Sequence, residues 1–187
     1  MKPGHIIMAL FIIIGIMKAT AQPVPAGEEN IPYLVTFGAN SSTAWGDDDF
    51  CQIFFFVIPV SHKDPVYLRI YDPETGNDLD ELKGAANSST TFSVYGGKGC
   101  WSDTSAQRIN PGKNFKSGIL ITSRTFANEA QYNKKWITLG PFNPAEGEYS
   151  EKLGGRVFKI IAEGKAGDDG NLYRYFLSTS MTENIVV

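Results

Sequence analysis

Apolar and polar residues alternate with a period of two along most of this chain, and helical periodicity is almost absent. In residues 66–71, Val66, Leu68 and Ile70 share one face and the residues between them share the other, as in a half-exposed strand. Residues 50–60 instead form a near-continuous apolar run with three consecutive phenylalanines. Such a run is typical of a strand that is buried on both faces.

Turns rich in Gly, Pro, Asn and Asp separate the apolar segments at short intervals. Only residues 128–135 are compatible with a helical turn. The pattern predicts about eight or nine short strands, among them 33–37, 50–60, 66–71, 90–95, 118–126, 136–139, 156–163 and 173–180. This spacing predicts an all-β fold, an antiparallel β-sandwich of the jelly-roll or Greek-key type.

The N-terminus has the pattern of a secretory signal peptide. A short basic stretch, an apolar core at 6–17 and the small residues of Ala19-Thr20-Ala21 follow one another. The apolar core is shorter than the roughly 20 residues that span a bilayer, and no later apolar stretch is long enough for a transmembrane helix. We therefore expect residues 1–21 to be a leader, 22–30 a flexible lead-in and 31–187 a single domain. The protein would be exported to the periplasm, the outer surface or the extracellular space.

Charge and motifs exclude several function classes. The net charge of −3 becomes −5 without the leader and its two lysines, and no Lys/Arg cluster suggests nucleic acid as a partner. Motifs of serine hydrolases, zinc peptidases and phosphate-binding loops are absent. His62 is the one histidine outside the leader, and its position in a short polar turn indicates an exposed turn residue. An enzyme is therefore the less favoured class.

Carboxylates are concentrated in three predicted loops, at 38–49, 73–89 and 164–171, which we call the acidic loops. Calcium takes about six to eight oxygen ligands from flexible loops, so a calcium site is one hypothesis. The alternative is that these are ordinary turn residues, because Asp and Asn favour turns. The candidate ligands in and beside the acidic loops are Asp47, Asp48, Asp49, Asp72, Glu74, Asp78 and Asp168.

Two cysteines outside the leader, Cys51 and Cys100, are candidates for a disulfide, which an oxidising compartment permits. Whether they approach each other depends on Gly96-Gly97. If a long loop follows residue 95 and strands alternate in direction, the three acidic loops meet at one end of the sandwich. If Gly96-Gly97 is a hairpin turn, 98–103 is an extra strand. In that case the third acidic loop lies at the opposite end and Cys100 lies nearer to Cys51. Under this simple counting, the cluster of three acidic loops and the disulfide are therefore alternatives.

Three tryptophans, Trp45, Trp101 and Trp136, lie in or beside predicted loops. Flat aromatic rings near hydrogen-bonding acids can line a carbohydrate-binding cleft. The alternative is that the rings cap the core of the sandwich, as aromatic residues often do.

Several strings resemble the N-terminal β-domain of exported envelope proteins of Bacteroidetes type: WGDDDF, VYLRIYDPETG, FSVYGGKG, GPFNPAEGE and FKIIAEGKAGDDGN. The resemblance covers most of 30–187 and implies a leading module in front of further surface or peptidoglycan-associated domains. The hairpin at 52–72 also looks like the β-sandwich appended to secreted peptidases. Neither resemblance implies catalytic residues.

We therefore expect a non-catalytic binding or structural module at the cell surface or in the envelope. Its partner would be a surface protein or a glycan, and calcium is a candidate stabilising ion. The alternative is a small secreted hydrolase that acts on a glycan with carboxylates of 47–49 and 72–81.

Overall fold

The computed structural model describes residues 23–27, 30, 32–42, 50–107 and 114–187. Three short 3₁₀ helices occur in these ranges, at Thr104–Gln107, Ala130–Tyr132 and Pro144–Glu146. No helix of the described residues has the length and apolar character needed to cross a bilayer. The same residues form nine strands: β1 Leu34–Phe37, β2 Cys51–Pro59, β3 Val66–Tyr71, β4 Ser89–Gly96, β5 Ile119–Phe126, β6 Trp136–Phe142, β7 Glu148–Ser150, β8 Gly155–Ala166 and β9 Gly170–Ser178.

The strands form two sheets. The first has the order β1-β9-β3-β6, and the second has the order β2-β8-β4-β5 with β7 paired to β8. Every neighbouring pair is antiparallel. The predicted fold class, an antiparallel β-sandwich, is therefore confirmed.

The core lies between the sheets and is built by the alternation that the sequence shows. Val66, Leu68 and Ile70 of β3 are buried, and they face Phe92 and Phe158 of the second sheet in one apolar cluster. Removal of these side chains from water supplies the main stabilisation, about 25 cal/mol for each Å² of apolar surface.

A second, smaller cluster covers the outer face of the second sheet, where Tyr95, Cys100 and Ile161 are buried beneath the segment that follows β4. The Lys159 side chain is also buried there, and its Nζ donates to the carbonyl oxygens of Phe115 (2.6 Å) and Ser117 (2.7 Å). These bonds hold the segment on the sheet, because a buried ammonium group requires acceptors.

The Glu148 carboxylate fixes the start of the same segment. It accepts hydrogen bonds from the backbone N–H groups of Gly99 (3.1 Å), Trp101 and Ser102 (3.0 Å). Burial raises the pKa of Glu148, but these hydrogen bonds lower it by more, and the pKa lies below its usual value. β4 therefore ends at Gly96 and is followed by a long loop, with no strand in residues 98–103. The long-loop interpretation is correct.

Candidate functional site

The described parts of the three acidic loops lie together at one end of the sandwich. Gly38 N–H donates to the Asp169 carbonyl oxygen (3.2 Å), and Ser41 Oγ donates to that of Asp168 (2.6 Å). Asn87 donates its backbone N–H to Asp169 Oδ2 and its side-chain amide to Asp168 Oδ1, both at 2.8 Å. The turn between β8 and β9 is thus joined to both of the other loops.

Asp80 is the most highly bonded carboxylate of this end. Its Oδ2 accepts from the backbone N–H of Gly76 (2.8 Å) and from the backbone (3.2 Å) and side-chain (2.8 Å) nitrogens of Asn77. Its Oδ1 accepts from Leu172 N–H at 2.7 Å. One side chain therefore closes its own loop and attaches that loop to β9.

Asp72 and Glu74 are buried rather than open to a ligand, with 0% and 1% of their surface exposed. Asp72 Oδ1 accepts from Lys134 N–H at 2.6 Å, while its Oδ2 is buried without a hydrogen-bond partner among the described residues. Glu74 Oε1 accepts from the Asn77 side chain at 3.1 Å. Burial raises the pKa of both carboxyl groups.

Asp78 is exposed, and hydrogen bonds and ion pairs with Lys83 and Lys134 lower its pKa. In the described part of the chain, no three His, Cys, Asp or Glu side chains are grouped so that they could hold a metal ion. The candidate ligands Asp47, Asp48 and Asp49 lie outside the described residues. The calcium site therefore stays a prediction.

Two of the three candidate tryptophans lie on opposite faces of the sandwich. Trp101 packs on the outer face of the second sheet, in edge contact with Phe55 at 5.1 Å between ring centres. Trp136 starts β6 on the outer face of the first sheet, since its neighbour Ile137 points into the core. Trp45 lies outside the described residues. Trp101 and Trp136 therefore do not share a cleft.

Trp136 belongs to a row of side chains that crosses the outer face of the first sheet. The Arg174 guanidinium lies 4.8 Å from the ring centres of both Tyr33 and Tyr71. Trp136 contacts Tyr71 at 5.4 Å, and the Arg69 guanidinium lies 5.1 Å from the Trp136 ring. Neighbouring side chains therefore occupy the ring faces, and the row packs the sheet surface rather than offering a flat platform.

Cys51 and Cys100 are free thiols, so the structure lacks the disulfide that the sequence permitted. Strand register gives the reason. Cys51 pairs with Glu163 of β8, whereas Cys100 Sγ lies 3.7 Å from the carbonyl oxygen of Val157. These two β8 residues are roughly 20 Å apart along the strand, and a disulfide requires Cα atoms roughly 4.4–6.8 Å apart. Burial raises the pKa of both thiols to about 11, which makes them weak nucleophiles.

A pocket of about 310 Å³, which we call the end pocket, lies at the other end of the sandwich from the acidic loops. It sits where β2 and β6 end and β8 begins, because Pro59 pairs with Gly155 and Val66 pairs with Phe142. The turns after β2 and β6 and the strands β7 and β8 contribute its lining: Val60, His62, Lys63, Asn143, Pro144, Ala145, Tyr149 and Arg156.

One wall of the end pocket is fixed by a capped 3₁₀ helix. Ala145 N–H donates to Asn143 Oδ1, and Asn143 N–H donates to Glu146 Oε2, both at 2.9 Å. This reciprocal pair is a capping box, with Pro144 at the first helical position. The side-chain amide N–H groups of Asn143 have no acceptor within the described residues, so they are available to a ligand.

The lining of the end pocket is basic, since it contains His62, Lys63 and Arg156 and no carboxylate. None of these three side chains takes part in an ion pair among the described residues. The Arg156 guanidinium lies 5.6 Å from the ring centre of Tyr149, which is 55% exposed. His62 Nε2 is buried with no hydrogen-bond partner in the described structure. The pocket is thus suited to a ligand that supplies acceptors and a flat apolar face.

Sequence reasoning gave no signal for this pocket as a whole. His62 was expected to be an ordinary exposed turn residue, yet its ring is half-buried against the pocket. The Asn-Pro-x-Glu run at 143–146 is a recognisable capping signal, but it does not indicate a binding site by itself. A scan of protein-family models, a search of curated proteins and a search of solved structures each find no match to the chain.

Proposed function

We propose that the chain is a non-catalytic, glycan-binding module of an exported or envelope protein, and that the end pocket is its binding site. The observation that carries the proposal is the lining of the pocket. The exposed ring of Tyr149 stands beside the side-chain N–H donors of Asn143, Lys63 and Arg156. A sugar has an apolar C–H face and a rim of hydroxyl acceptors, so it matches a ring that is flanked by donors.

The size of the end pocket limits the ligand. About 310 Å³ is at the lower end of the range of ligand pockets, which begins at roughly 300 Å³. The pocket therefore suits one or two sugar rings, or the end of a chain, rather than the middle of a long polymer. The leader that the sequence predicts at 1–21 is consistent with the proposal, because export would bring such a module to the glycans of a cell surface.

A carboxylate-dependent hydrolase has less support. Glycosidases generally use two carboxyl groups on either side of the scissile bond, and the end pocket has none in its lining. At the opposite end, Asp80 is engaged by four hydrogen bonds from the protein itself, and Asp72 and Glu74 are buried. The described residues therefore support a non-catalytic binding module better than a hydrolase.

A binding assay with a matched pair of variants tests the proposal. The exported, processed chain would be titrated calorimetrically with a panel of neutral and acidic oligosaccharides. Tyr149→Ala should weaken binding about tenfold, which corresponds to about 1.4 kcal/mol, while Tyr67→Ala on the outer face of β3 should leave it unchanged. Thermal unfolding would verify that both variants are folded. Equal binding by Tyr149→Ala and the unmodified chain, or no binding by any oligosaccharide, would contradict the proposal.

A further inference from the structure

We infer that the end pocket selects an acidic sugar, and that it holds the carboxylate of that sugar with Arg156 and Lys63. The inference rests on the proposed function and narrows it to one class of ligand. It depends on the charges of the lining, on the free N–H groups of Arg156 and on the rigid placement of that side chain. Lys63 Nζ donates to the Val60 carbonyl oxygen, which leaves two of its three N–H groups for a ligand.

The charge of the end pocket is opposite to that of the chain. The protein carries a net charge of −3, yet three basic side chains line this pocket and no acidic one does. Four lysines elsewhere in the described residues do have carboxylate partners: Lys83, Lys116, Lys134 and Lys165. Lys63 and Arg156 carry like charges in one lining and repel each other, so binding of an anion relieves this repulsion.

Arg156 is held firmly enough to act as a carboxylate anchor. It pairs with Ile58 of β2 on one side and with Tyr149 of β7 on the other, so its backbone is fixed by two neighbouring strands. Its Nη1 donates to the Gly147 carbonyl oxygen at 3.3 Å, and the Tyr149 ring supports the guanidinium plane. The other N–H groups have no acceptor within the described residues. A guanidinium group binds carboxylates in a bidentate, charge-assisted geometry.

His62 is the third basic side chain of the lining. It lines the pocket, and its Nε2 is buried without a partner in the described structure. A buried polar atom that lacks a hydrogen bond is unfavourable, and such atoms are rare in folded proteins. This nitrogen has almost no surface open to the pocket, so it does not contact a ligand there and other atoms of His62 contribute to the lining. A sugar carboxylate therefore accepts from Arg156 and Lys63, while the sugar ring packs against Tyr149.

Methyl glucuronoside and methyl glucoside are the probes that isolate the carboxylate, because they differ only in that group. Amide chemical shifts of the exported, processed chain would be followed by NMR during titration at low ionic strength. The glucuronoside should bind at least about tenfold more tightly than the glucoside, and salt should reduce this ratio. Arg156→Gln should abolish the ratio, whereas Arg124→Gln, at an exposed position of β5 outside the pocket, should preserve it. Lys63→Gln serves as a second variant if Arg156→Gln fails to fold.

The outcomes of this titration distinguish the carboxylate inference from the glycan-binding proposal. Equal affinity for both sugars overturns the carboxylate inference and leaves the glycan-binding proposal standing. Shifts of pocket residues with acetate or inorganic phosphate, but with neither sugar, overturn the glycan-binding proposal. Tighter binding of inorganic phosphate than of the glucuronoside also overturns the assignment to a sugar carboxylate. No shift with any probe overturns both.

Discussion

Replacement of Asp80 by Asn tests whether the acidic loops are held together by hydrogen bonds within the protein or by a bound cation. The carboxylate accepts three hydrogen bonds on Oδ2 and one, from Leu172 N–H, on Oδ1. An asparagine side chain keeps a single acceptor. Its NH₂ group then faces at least one N–H donor, and the bonds that survive lose the assistance of the negative charge.

The expected magnitude follows from these bonds. A hydrogen bond to a charged group contributes about 1.5–3 kcal/mol and a neutral one about 0.5–1.5 kcal/mol. Asp80→Asn loses the Leu172 bond and weakens the other three, while water reaches this half-buried side chain and offsets part of the loss. Burial raises the pKa of Asp80 to about 7 in spite of these bonds, so desolvation offsets much of the assistance that the negative charge gives. We therefore expect the free energy of unfolding to fall by about 1–2 kcal/mol, which is close to the range of neutral hydrogen bonds.

Urea unfolding at neutral pH measures this change, with Glu151→Gln as the control. Glu151 is an exposed acid in the turn between β7 and β8, so its variant should lie within about 0.5 kcal/mol of the unmodified chain. The loss in Asp80→Asn should be the same with millimolar calcium as with a chelator.

Two results would refute this reasoning. One is an Asp80→Asn variant that is as stable as the control. The other is a calcium-dependent gain in the unmodified chain that disappears in Asp80→Asn. A cation that binds only the folded state adds about 2.7 kcal/mol at roughly a hundredfold excess over its Kd. Such a gain would establish the calcium site that the sequence predicted.

Three further predictions concern the second sheet and its loop. Lys159→Met should lower the free energy of unfolding by about 2–4 kcal/mol in urea relative to the exposed Lys165→Met, because two buried carbonyl groups lose their donor. Since the pKa of Glu148 is depressed in the folded state, its stabilisation should be complete above the normal pKa of 4.5 and lost as pH falls through the depressed value. Glu148→Gln should therefore show a weaker loss of stability in acid, and an unchanged profile would contradict the role of Glu148. A thiol assay in denaturant should find Cys51 and Cys100 both free, whereas an intramolecular disulfide would require a different register.

The sequence was sufficient to predict most strands, because the period-two pattern reports directly which face of a strand is buried. Residues 66–71 were predicted as a strand and form β3. β6 extends beyond the predicted 136–139 and crosses Gly140-Pro141. Proline is tolerated there because β6 is an edge strand, and the register shift opposite Val66 and Leu68 accommodates it. β7 is not among the predicted strands, since its pairing with β8 comes from the tertiary structure.

The sequence predicted less about the acidic loops and the end pocket than about the strands, and the reason differs between these two ends of the sandwich. Antiparallel counting predicts that the acidic loops meet only if a long loop follows residue 95, and it left this open beside the hairpin alternative. This counting did not predict that the carboxylates accept hydrogen bonds from backbone N–H groups such as that of Leu172. Nearly every residue type carries a backbone N–H group, so the sequence does not indicate which of them is a donor to a carboxylate. The end pocket combines His62 with Asn143 and Arg156, which lie far from His62 in the chain and become its neighbours only after the sheets have formed.

A crystal structure of the processed chain with methyl glucuronoside tests most directly whether the end pocket binds an acidic glycan. We predict that the sugar occupies this pocket, with its carboxylate within hydrogen-bond distance of the Arg156 guanidinium and its ring against Tyr149. A sugar bound instead on the row of Tyr33, Arg174 and Tyr71, or at the acidic loops, would contradict this assignment.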